Sequence, residues 1–584
     1  MKRLRWLALV GVLALVAAAC GDTTGDDGTT TTAGDTTETA AAPAETTTTV
    51  DAGTPFEGLV LDSGGCERDL GYTDDDGEPV LYGGKVDTLT ALDELTVEFV
   101  LCKSDPAFLA EIAFSVFGIQ PAEHLEATGG APIDNPIGTG PYSLNAWNRG
   151  DSIVLDANQD YWGQVPAHDT LVIKWATESA SRLLELQAGT ADGITFPGVA
   201  DLPVIEADES LELIDKPEPN IFYIGMTVTH PPFDNEMVRQ AVAIGIDRQR
   251  IVDTFYPEGS ETADFFTPCT LTNACEGEKW YDFDVDAAQA LLAEAGFADG
   301  FDTVIRYRQV DRGYLPTPAD VAADIQAQLK DNLNITATIE EVESSQFIDE
   351  SNAGLYDGLH LLGWTGDYPH VTNFMDGHLG KTVTQFGEPF DDIAGPLDEA
   401  ASIADTAEAA PFYEQANNGL RQHVPLIPIS HSGAFYAAQA GIDGVHAPPW
   451  GHIQLNLWDN GEDTLVFFQN AEPGSLYCAD ETDGESLRVC GQVVEALYGY
   501  TTSGEVVPAL ATECAPDDDL TVWTCSLRAG VTFHDGSAFD ANDVIVSYTA
   551  GLDASSPLHT GVTGSWVYYD YIFGGLINPP EPAE

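Results

Sequence analysis

Basic residues are scarce in this chain. It has 22 lysines and arginines against 95 aspartates and glutamates, which gives a formal net charge of −73 at pH 7. Because phosphate recognition depends on clusters of basic side chains, this composition excludes nucleic acid as a partner. The acidic residues are spread along the chain. We interpret them as the solvating surface of an exported protein, with attraction of cationic ligands as the alternative.

Signatures of catalysis are also missing. The sequence has no G-x-S-x-G nucleophile elbow, no H-E-x-x-H zinc helix and no P-loop. His360, His370 and His378 are spaced by ten and eight residues, which fits no compact set of metal ligands. His534 precedes Asp-Gly, a pair typical of turns. We therefore expect no enzyme, no metal site and no cofactor; an extracellular hydrolase (glycosidase or peptidase) and a non-catalytic surface protein remain as alternatives.

Long apolar runs are absent after the first twenty residues. That N-terminal stretch has three basic residues, an apolar run at Leu7–Val16 and Ala-Ala-Ala before Cys20. It is typical of a lipoprotein signal peptide, although Ala17 occupies a position where Leu is commoner. We predict cleavage before Cys20, lipidation of its thiol and an extracytoplasmic, lipid-anchored location. An ordinary signal peptide with a chance cysteine is the alternative.

Residues 21–54 consist almost entirely of Thr, Ala, Asp, Gly, Glu and Pro. Such a segment cannot bury enough apolar surface to offset the entropy lost on ordering. We predict a disordered tether between the anchor and a globular body.

Eight cysteines remain after Cys20, and none has the two-residue spacing of a zinc site. In an oxidising compartment an even number of cysteines favours disulfides. The predicted pairs join near neighbours: Cys66–Cys102, Cys269–Cys275, Cys478–Cys490 and Cys514–Cys525.

Helix and strand patterns alternate over residues 231–428. Asp234 is a candidate N-cap for a helix over 237–256, and Asp284 for the next helix. Further segments predict strands at 301–307, 335–342 and 359–364 and a helix at 320–332. This alternation predicts a βαβ lobe at 231–428. Residues 55–230, with a small extra domain, and 429–584 would form the other lobe, so that the chain crosses twice and forms a hinge.

Several motifs resemble one known family. They are NPIGTGPY at 135–142, NQDYWG at 158–163, PPFD at 231–234, VRQA at 238–241, GWTGDYP at 363–369, VPLIP at 424–428 and TVWTCSLRAGVTFHDGSAFDANDVIVSY at 521–548. The series resembles the family 5 extracytoplasmic solute-binding proteins of peptide and nickel ABC transporters. Thr227 and His370 depart from it, since the family often has Asn and Asp there.

The resemblance implies a fold and a function. The fold is α/β, a two-lobed periplasmic-binding-protein-like architecture with a hinge, of the large peptide-binding type II class. The function is that of a substrate-binding lipoprotein, which captures oligopeptides or a similar small solute between the lobes. It would deliver this ligand to an ABC permease with separate ATPase subunits, and we expect a monomer.

The order of the motifs differs from that of the family. The 521–548 signature lies near the mature N-terminus of family members, yet here it follows the other motifs. Residues 453–457 resemble a closing strand and Leu465–Gln469 an opening one, while 85–100 resemble the strands that should follow 568–576. We predict a circular permutation, with a complete protein followed by a truncated second copy as the rival explanation.

Asp367 is the leading candidate for ligand recognition. It follows the apolar strand 359–364, and ligands of α/β proteins bind beyond the carboxyl ends of strands. In peptide-binding members of the resembled family, an aspartate of this motif holds the ligand's α-amino group. The predicted ligand-binding residues are Asp367, Trp364, Tyr368, His370 and Arg312.

Each of these candidates has an alternative structural explanation. Asp367 could cap a turn, and Trp364 could belong to the core. One of Arg306, Arg308 and Arg312 could receive a ligand carboxylate through two parallel hydrogen bonds. Neutralisation of nearby acidic groups is the alternative for these arginines.

Overall fold

The computed structural model describes residues 56–73, 77–217, 219–381 and 383–580. The predicted signal peptide, the lipidation site Cys20 and the tether at 21–54 lie outside these ranges. Inside them, no helix is long and apolar enough to cross a membrane.

The described residues form 22 strands. In chain order they are β1 (Val60–Asp62), β2 (Asp69–Thr73), β3 (Pro79–Leu81), β4 (Val86–Asp93), β5 (Thr96–Leu101), β6 (Tyr142–Asn148), β7 (Ser152–Ala157), β8 (Thr170–Trp175), β9 (Gly193–Thr195), β10 (Leu211–Lys216), β11 (Asn220–Met226), β12 (Glu261–Thr262), β13 (Asp302–Tyr307), β14 (Thr336–Glu341), β15 (Leu359–Thr365), β16 (Leu426–His431), β17 (Ala434–Gln439), β18 (Thr464–Gln469), β19 (Tyr498–Tyr500), β20 (Val506–Pro508), β21 (Ala511–Pro516) and β22 (Val522–Leu527).

Fifteen α-helices accompany them within the same ranges. They are α1 (Phe108–Glu111), α2 (Ala122–Thr128), α3 (Ser179–Gln187), α4 (Leu202–Glu206), α5 (Glu236–Gly245), α6 (Arg248–Phe255), α7 (Val285–Glu294), α8 (Pro318–Leu333), α9 (Ser344–Asn352), α10 (Thr372–Leu379), α11 (Asp391–Ala400), α12 (Thr406–His423), α13 (Gly484–Cys490), α14 (Ala541–Leu552) and α15 (Val567–Ile572).

Three larger sheets organise these elements. The seven-stranded sheet has the order β10-β17-β9-β18-β8-β7-β6, and the five-stranded sheet has the order β1-β4-β5-β22-β21. The six-stranded sheet has the order β12-β16-β11-β15-β13-β14, with parallel pairing of β13 to β14 and to β15. We call residues 56–217 and 434–580 the first lobe, and residues 219–431 the second lobe.

The chain crosses between the lobes after β10, which ends at Lys216, and again at 432–433. The predicted boundary at 231 falls after β11, although β11 is hydrogen-bonded to β15 and β16 of the second lobe. All seven residues of β11 are buried, so the strand carries no alternating pattern that marks its sheet. The two crossings contact each other, because the Asn220 amide donates to the Ser432 carbonyl oxygen at 2.9 Å.

Local capping explains most helix starts in the second lobe. Asp284 accepts from the amide of Ala287, as predicted, and α7 begins after it. The helix predicted over 237–256 is instead two helices, because the backbone is extended at Ile246 and Asp247 caps α6. Asn235 rather than Asp234 caps α5, through its side-chain oxygen and the amide of Met237.

Strands from the C-terminal part of the chain complete the sheets of the first lobe. β18 pairs in parallel with β8 on one side and β9 on the other, so it is central in the seven-stranded sheet. The predicted closing strand at 453–457 is not a strand; Leu455–Leu457 forms a short 3-10 turn. Its buried residues contact distant segments instead: the Leu455 amide donates to the Gln492 side-chain oxygen, and the Asn456 side chain donates to the Gln164 carbonyl oxygen.

The four disulfides join the cysteine pairs that were predicted from the sequence. They are Cys66–Cys102, Cys269–Cys275, Cys478–Cys490 and Cys514–Cys525. The last joins directly opposite residues of the β21–β22 hairpin. Each bridge restricts the unfolded chain more than the folded one and so stabilises the fold.

Candidate functional site

The two lobes enclose a cavity of about 1690 Å³. This volume exceeds the roughly 300–1,000 Å³ of ordinary small-molecule pockets. Its walls include the carboxyl ends of β13 and β15 in the second lobe, and the region around α13 and α15 in the first. The cavity therefore has room for a ligand longer than a single amino acid.

Asp367 lies on this cavity, two residues after β15. Its carboxylate accepts hydrogen bonds from the Asn373 amide and from the Tyr568 hydroxyl, both at 3.3 Å. Within the described ranges it forms no ion pair. Burial raises the pKa of Asp367 to about 7, and these two hydrogen bonds oppose the shift only in part. A cationic group of a ligand would provide the positively charged partner that this carboxylate lacks.

Aromatic side chains flank this carboxylate. Trp364 lines the cavity, and its indole nitrogen donates to the Asn373 side-chain oxygen at 3.1 Å. Tyr368 is 1% exposed, and its hydroxyl lies 3.2 Å from that of Thr372. Asn373 also accepts from the backbone amide of Asp367 at 2.9 Å. One asparagine therefore fixes both the tryptophan and the aspartate.

Glycine is required at the strand beneath these groups. A Cβ on Gly363 would lie 2.3 Å from the Ile221 carbonyl oxygen and 2.3 Å from a ring carbon of Tyr314. Only a residue without a side chain allows the Tyr314 ring to rest on β15 at this point. The glycine of the GW motif thus has a steric cause.

The structure does not place His370 on the cavity wall. Its Nδ1 lies 2.9 Å from the Thr372 hydroxyl, and burial lowers the pKa of His370 to about 4. His378 does line the cavity, whereas His360 is buried over Gly225 and stacks on Phe386. His360 and His378 both pack against the Tyr223 ring, whereas His370 contacts Thr372.

Arg312 lines the cavity and forms an ion pair across the two lobes. Its two terminal nitrogens donate to the two carboxylate oxygens of Glu485, at 3.0 and 3.3 Å. Glu485 lies in the first turn of α13 and its side chain is 2% exposed. Burial alone would raise the pKa of Glu485, but the Arg312 guanidinium holds it well below its usual range. A carboxylate of the protein therefore already occupies the Arg312 guanidinium.

The sequence resemblance is confirmed by comparison with known proteins. The model of the family "bacterial extracellular solute-binding proteins, family 5 Middle" matches residues 26–386 and 505–562, more than half of the chain. The chain belongs to this family. This membership also confirms the predicted two-lobed α/β fold. Family 5 proteins act outside the cytoplasm as solute-binding components.

Individual relatives agree with this membership. The dipeptide-binding protein of Pseudomonas aeruginosa is 32% identical over 371 residues, covering 62% of this chain and 69% of that protein. Heme-binding protein A of Haemophilus influenzae is 30% identical over 375 residues, covering 62% and 67%. The solved dipeptide-binding protein from Pseudoalteromonas sp. SM9913, in complex with Met-Leu, is 26% identical with a TM-score of 0.59, covering 64% and 76%.

Two tyrosines of this family 5 site were missed by sequence reasoning. Tyr568 contacts Asp367, and the Tyr571 hydroxyl donates to the backbone oxygens of Thr372 and Asn373 at 3.1 and 3.0 Å. Both belong to α15, about 200 positions from their partners. No local pattern in the sequence connects these tyrosines to the 367–373 segment that they contact.

Proposed function

We propose that this family 5 protein captures a peptide, or a similar small solute with a free amino group, between its lobes. The observation that carries the proposal is Asp367, a half-buried carboxylate on the cavity wall that has only neutral hydrogen-bond partners among the described residues. A ligand ammonium would restore its full charge. The relatives named for dipeptide binding, and the solved complex with Met-Leu, support the choice of a peptide.

Each predicted ligand-binding residue has a role in this proposal. Trp364 and Tyr368 form the apolar wall beside the ammonium site. His370 fixes the Thr372 hydroxyl, which in turn lies beside Tyr368. Arg312 holds the lobes in the closed arrangement through its ion pair with Glu485. Ligand binding would favour the closed arrangement by its higher affinity for that state.

Delivery and anchoring follow from the same proposal. We infer a lipid anchor at Cys20, docking of the closed form on an ABC permease with separate ATPase subunits, and a monomeric binding protein without catalytic turnover. A Cys20→Ala variant should then appear in the soluble fraction when it is expressed in its host. Retention of this variant in the membrane fraction would contradict the anchor.

We also infer that the order of the chain is circularly permuted. The carboxylate of Glu495 accepts from Thr139 at 2.7 Å, Tyr161 at 2.7 Å and Trp162 at 2.8 Å, so two family motifs converge on the late segment. The backbone amide of Lys85 donates to the Phe573 carbonyl oxygen at 2.6 Å. Residues 573 and 85 are therefore neighbours in space, as consecutive parts of an unpermuted chain would be.

Rearrangement of the gene tests the permutation. A chain in which residues 462–576 run directly into residue 85 lacks β1–β3 and Cys66, but it should keep the seven-stranded and six-stranded sheets and retain the same ligand. Deletion of 462–584 should unfold the remainder, since β18 is central in its sheet. A stable, ligand-binding protein after that deletion would favour the truncated second copy.

The ligand itself is tested by native mass spectrometry. Protein secreted by its host should release a set of short peptides on denaturation, and added peptides should reduce the radius of gyration in small-angle scattering. Release of a sugar or of heme would overturn the peptide assignment. Turnover of a peptide or glycan library would favour a hydrolase.

A further inference from the structure

One lysine and two acidic residues form a close cluster in the first lobe. The Nζ atom of Lys85 lies 2.9 Å from Oδ2 of Asp105 and 2.9 Å from Oε1 of Glu111. The side chains of Asp105 and Glu111 are only 3% and 1% exposed, and that of Lys85 is 26% exposed at the edge of the cavity. An amino group and two carboxyl groups are therefore in direct contact away from bulk water. We call these three residues the Lys85 cluster.

The hairpin of β4 and β5 brings the cluster together. Lys85 precedes β4, Asp105 follows β5, and Glu111 ends α1. The two strands are antiparallel, so the start of β4 lies beside the end of β5. The Cys102 amide donates to the Lys85 carbonyl oxygen at 2.7 Å. The fold itself therefore holds the amino group against the carboxyl groups.

Asp105 is oriented as the electrophile of an acyl transfer would be. Its Oδ1 accepts a hydrogen bond from the backbone N–H of Ala107 at 2.9 Å, while its Oδ2 faces Lys85. A fixed backbone donor at one oxygen stabilises the negative charge that develops there when a nucleophile adds to the carboxyl carbon. Glu111 has no such donor, because its Oε2 has no hydrogen-bond partner among the described residues. Asp105 is therefore the better acceptor of a nucleophile.

Glu111 is suited to transfer protons between the other two groups. Burial and the negative charge of Asp105 raise the pKa of Glu111 well above its usual range. Although burial opposes it, the Lys85 ammonium group holds the pKa of Asp105 below its usual value. At neutral pH the cluster therefore contains one protonated and one ionised carboxyl group. Since Glu111 is hydrogen-bonded to both Lys85 and Asp105, it is within reach of both reacting groups.

The cluster is enclosed by aromatic side chains. Phe108 lies between Asp105 and Glu111 in the sequence and is fully buried. Its ring packs against those of Phe99 and Trp523, with centroid distances of 5.1 Å in both cases. Exclusion of water favours a reaction in which two polar groups condense and one water molecule leaves.

We propose that Lys85 and Asp105 condense to an intramolecular amide bond, with Glu111 as the proton relay. A proton passes from the Lys85 ammonium to Oδ2 of Asp105 along their hydrogen bond, and the neutral amine adds to the carboxyl carbon of Asp105. Glu111 accepts a proton from the nitrogen and gives its own to the leaving hydroxyl. One N–C bond forms, one C–O bond breaks, one water molecule is released, and Glu111 returns to its starting state. No oxidant or cofactor takes part.

The contact between the groups compensates for their low intrinsic reactivity. Although burial favours the neutral amine, the two neighbouring carboxyl groups hold the pKa of Lys85 above its usual range, so the first proton transfer is uphill. Groups that are held in contact react as one molecule, with effective concentrations of roughly 10⁵–10⁸ M. The product closes a ring between residues 85 and 105 beside the Cys66–Cys102 disulfide. Unlike that disulfide, it resists thiol reductants.

Peptide mapping of the full-length protein, reduced and alkylated, tests the proposal. Trypsin cleaves after a free Lys85 and would then release peptides 69–85 and 86–103. With the amide in place, cleavage at Lys85 should be lost. Peptide 69–103 should then appear joined to 104–149, at the sum of their masses minus one water molecule.

The chain provides an internal control. Lys103 and Asp398 lie 2.8 Å apart, but their side chains are 55% and 39% exposed. This pair should remain unlinked, and trypsin should cleave after Lys103.

Two variants test the roles within the cluster. Glu111→Gln keeps both reacting groups, yet the linked fraction should fall at least about tenfold, because a positioned acid–base group contributes roughly 10²–10⁴ in rate. Lys85→Arg keeps the positive charge and should abolish the link. Circular dichroism would verify that both variants are folded, and the map of the wild-type protein is decisive even if one of them is not.

Each other outcome counts against a stated part of the proposal. Complete cleavage after Lys85 in the wild-type protein overturns it, as does loss of water found only at an Asp-Gly sequence as a succinimide. A link from Lys85 to Glu111, located by fragmentation, overturns the assignment of Asp105 as the electrophile. A link that forms equally well in Glu111→Gln overturns the proton relay. Peptide capture is unaffected by any of these results.

Discussion

Substitution of Asp367 by asparagine should remove a pH dependence of ligand binding. Burial raises the pKa of this carboxyl from 3.8 to about 7 in the ligand-free cavity. A ligand ammonium stabilises the ionised form, so binding below pH 7 releases a proton and the affinity increases with pH. For a site with this pKa, affinity should rise about 75-fold between pH 5 and pH 7.5 and then level off.

Calorimetry with one peptide at pH 5, 6, 7 and 7.5 measures this dependence. Asp376 and Asp483 also line the cavity with pKa values raised to about 7 and about 8, so the informative quantity is the difference between wild type and variant. Asp367→Asn should bind weakly and with a nearly flat profile. Asp349→Asn, the same change at an exposed position of the cavity wall, is the matched control. A variant at position 367 that keeps the wild-type pH slope would refute the reasoning.

The same substitution should stabilise the ligand-free protein. Since folding raises the pKa of Asp367, the folded state binds more protons than the unfolded state between about pH 4 and pH 7, and stability falls as pH rises through that window. Asp367→Asn should recover about 2–4 kcal/mol at pH 8, seen as a higher melting temperature. The gain should vanish at pH 4.

Three more perturbations follow from the contacts of the site and the scaffold. Glu485→Gln breaks the ion pair between the lobes and should lower the free energy of unfolding by about 3–5 kcal/mol. Small-angle scattering should then show a larger radius of gyration for the ligand-free protein, and an unchanged radius would contradict this role. Gly363→Ala places a methyl group 2.3 Å from the Tyr314 ring, so ligand affinity should fall at least tenfold, which titration would detect. Replacing Cys514 and Cys525 by serine should cost about 2–3 kcal/mol, measured as a lower denaturation midpoint than for the oxidised wild type.

The strands and helices of the second lobe were largely predictable from their own residues. β15 is a largely apolar run, β13 is rich in β-branched residues, and α7 begins at a capping aspartate, so local chemistry determines them. Asp367 could be named for the same reason, because it follows β15. Contacts between residues that are distant in the sequence could not be predicted in this way.

The interruption between α5 and α6 shows the limit of periodicity. Apolar residues continue at helical spacing through Ile246, yet the backbone is extended there because Asp247 caps a new helix. The Arg312–Glu485 pair illustrates a second limit. Its two residues are 173 positions apart in the sequence. Because the chain is so acidic, many carboxylates were equally plausible partners for Arg312 when only the sequence was considered.

The central position of β18 has a consequence for the kinetics of folding. Until residue 469 has been synthesised, β8 and β9 present unpaired edges, and the sheet of the first lobe cannot close. Contacts of such high sequence separation slow folding, since a long loop must close before they form. A nascent chain that cannot complete its core early stays open for longer, which suits a family whose members act outside the cytoplasm.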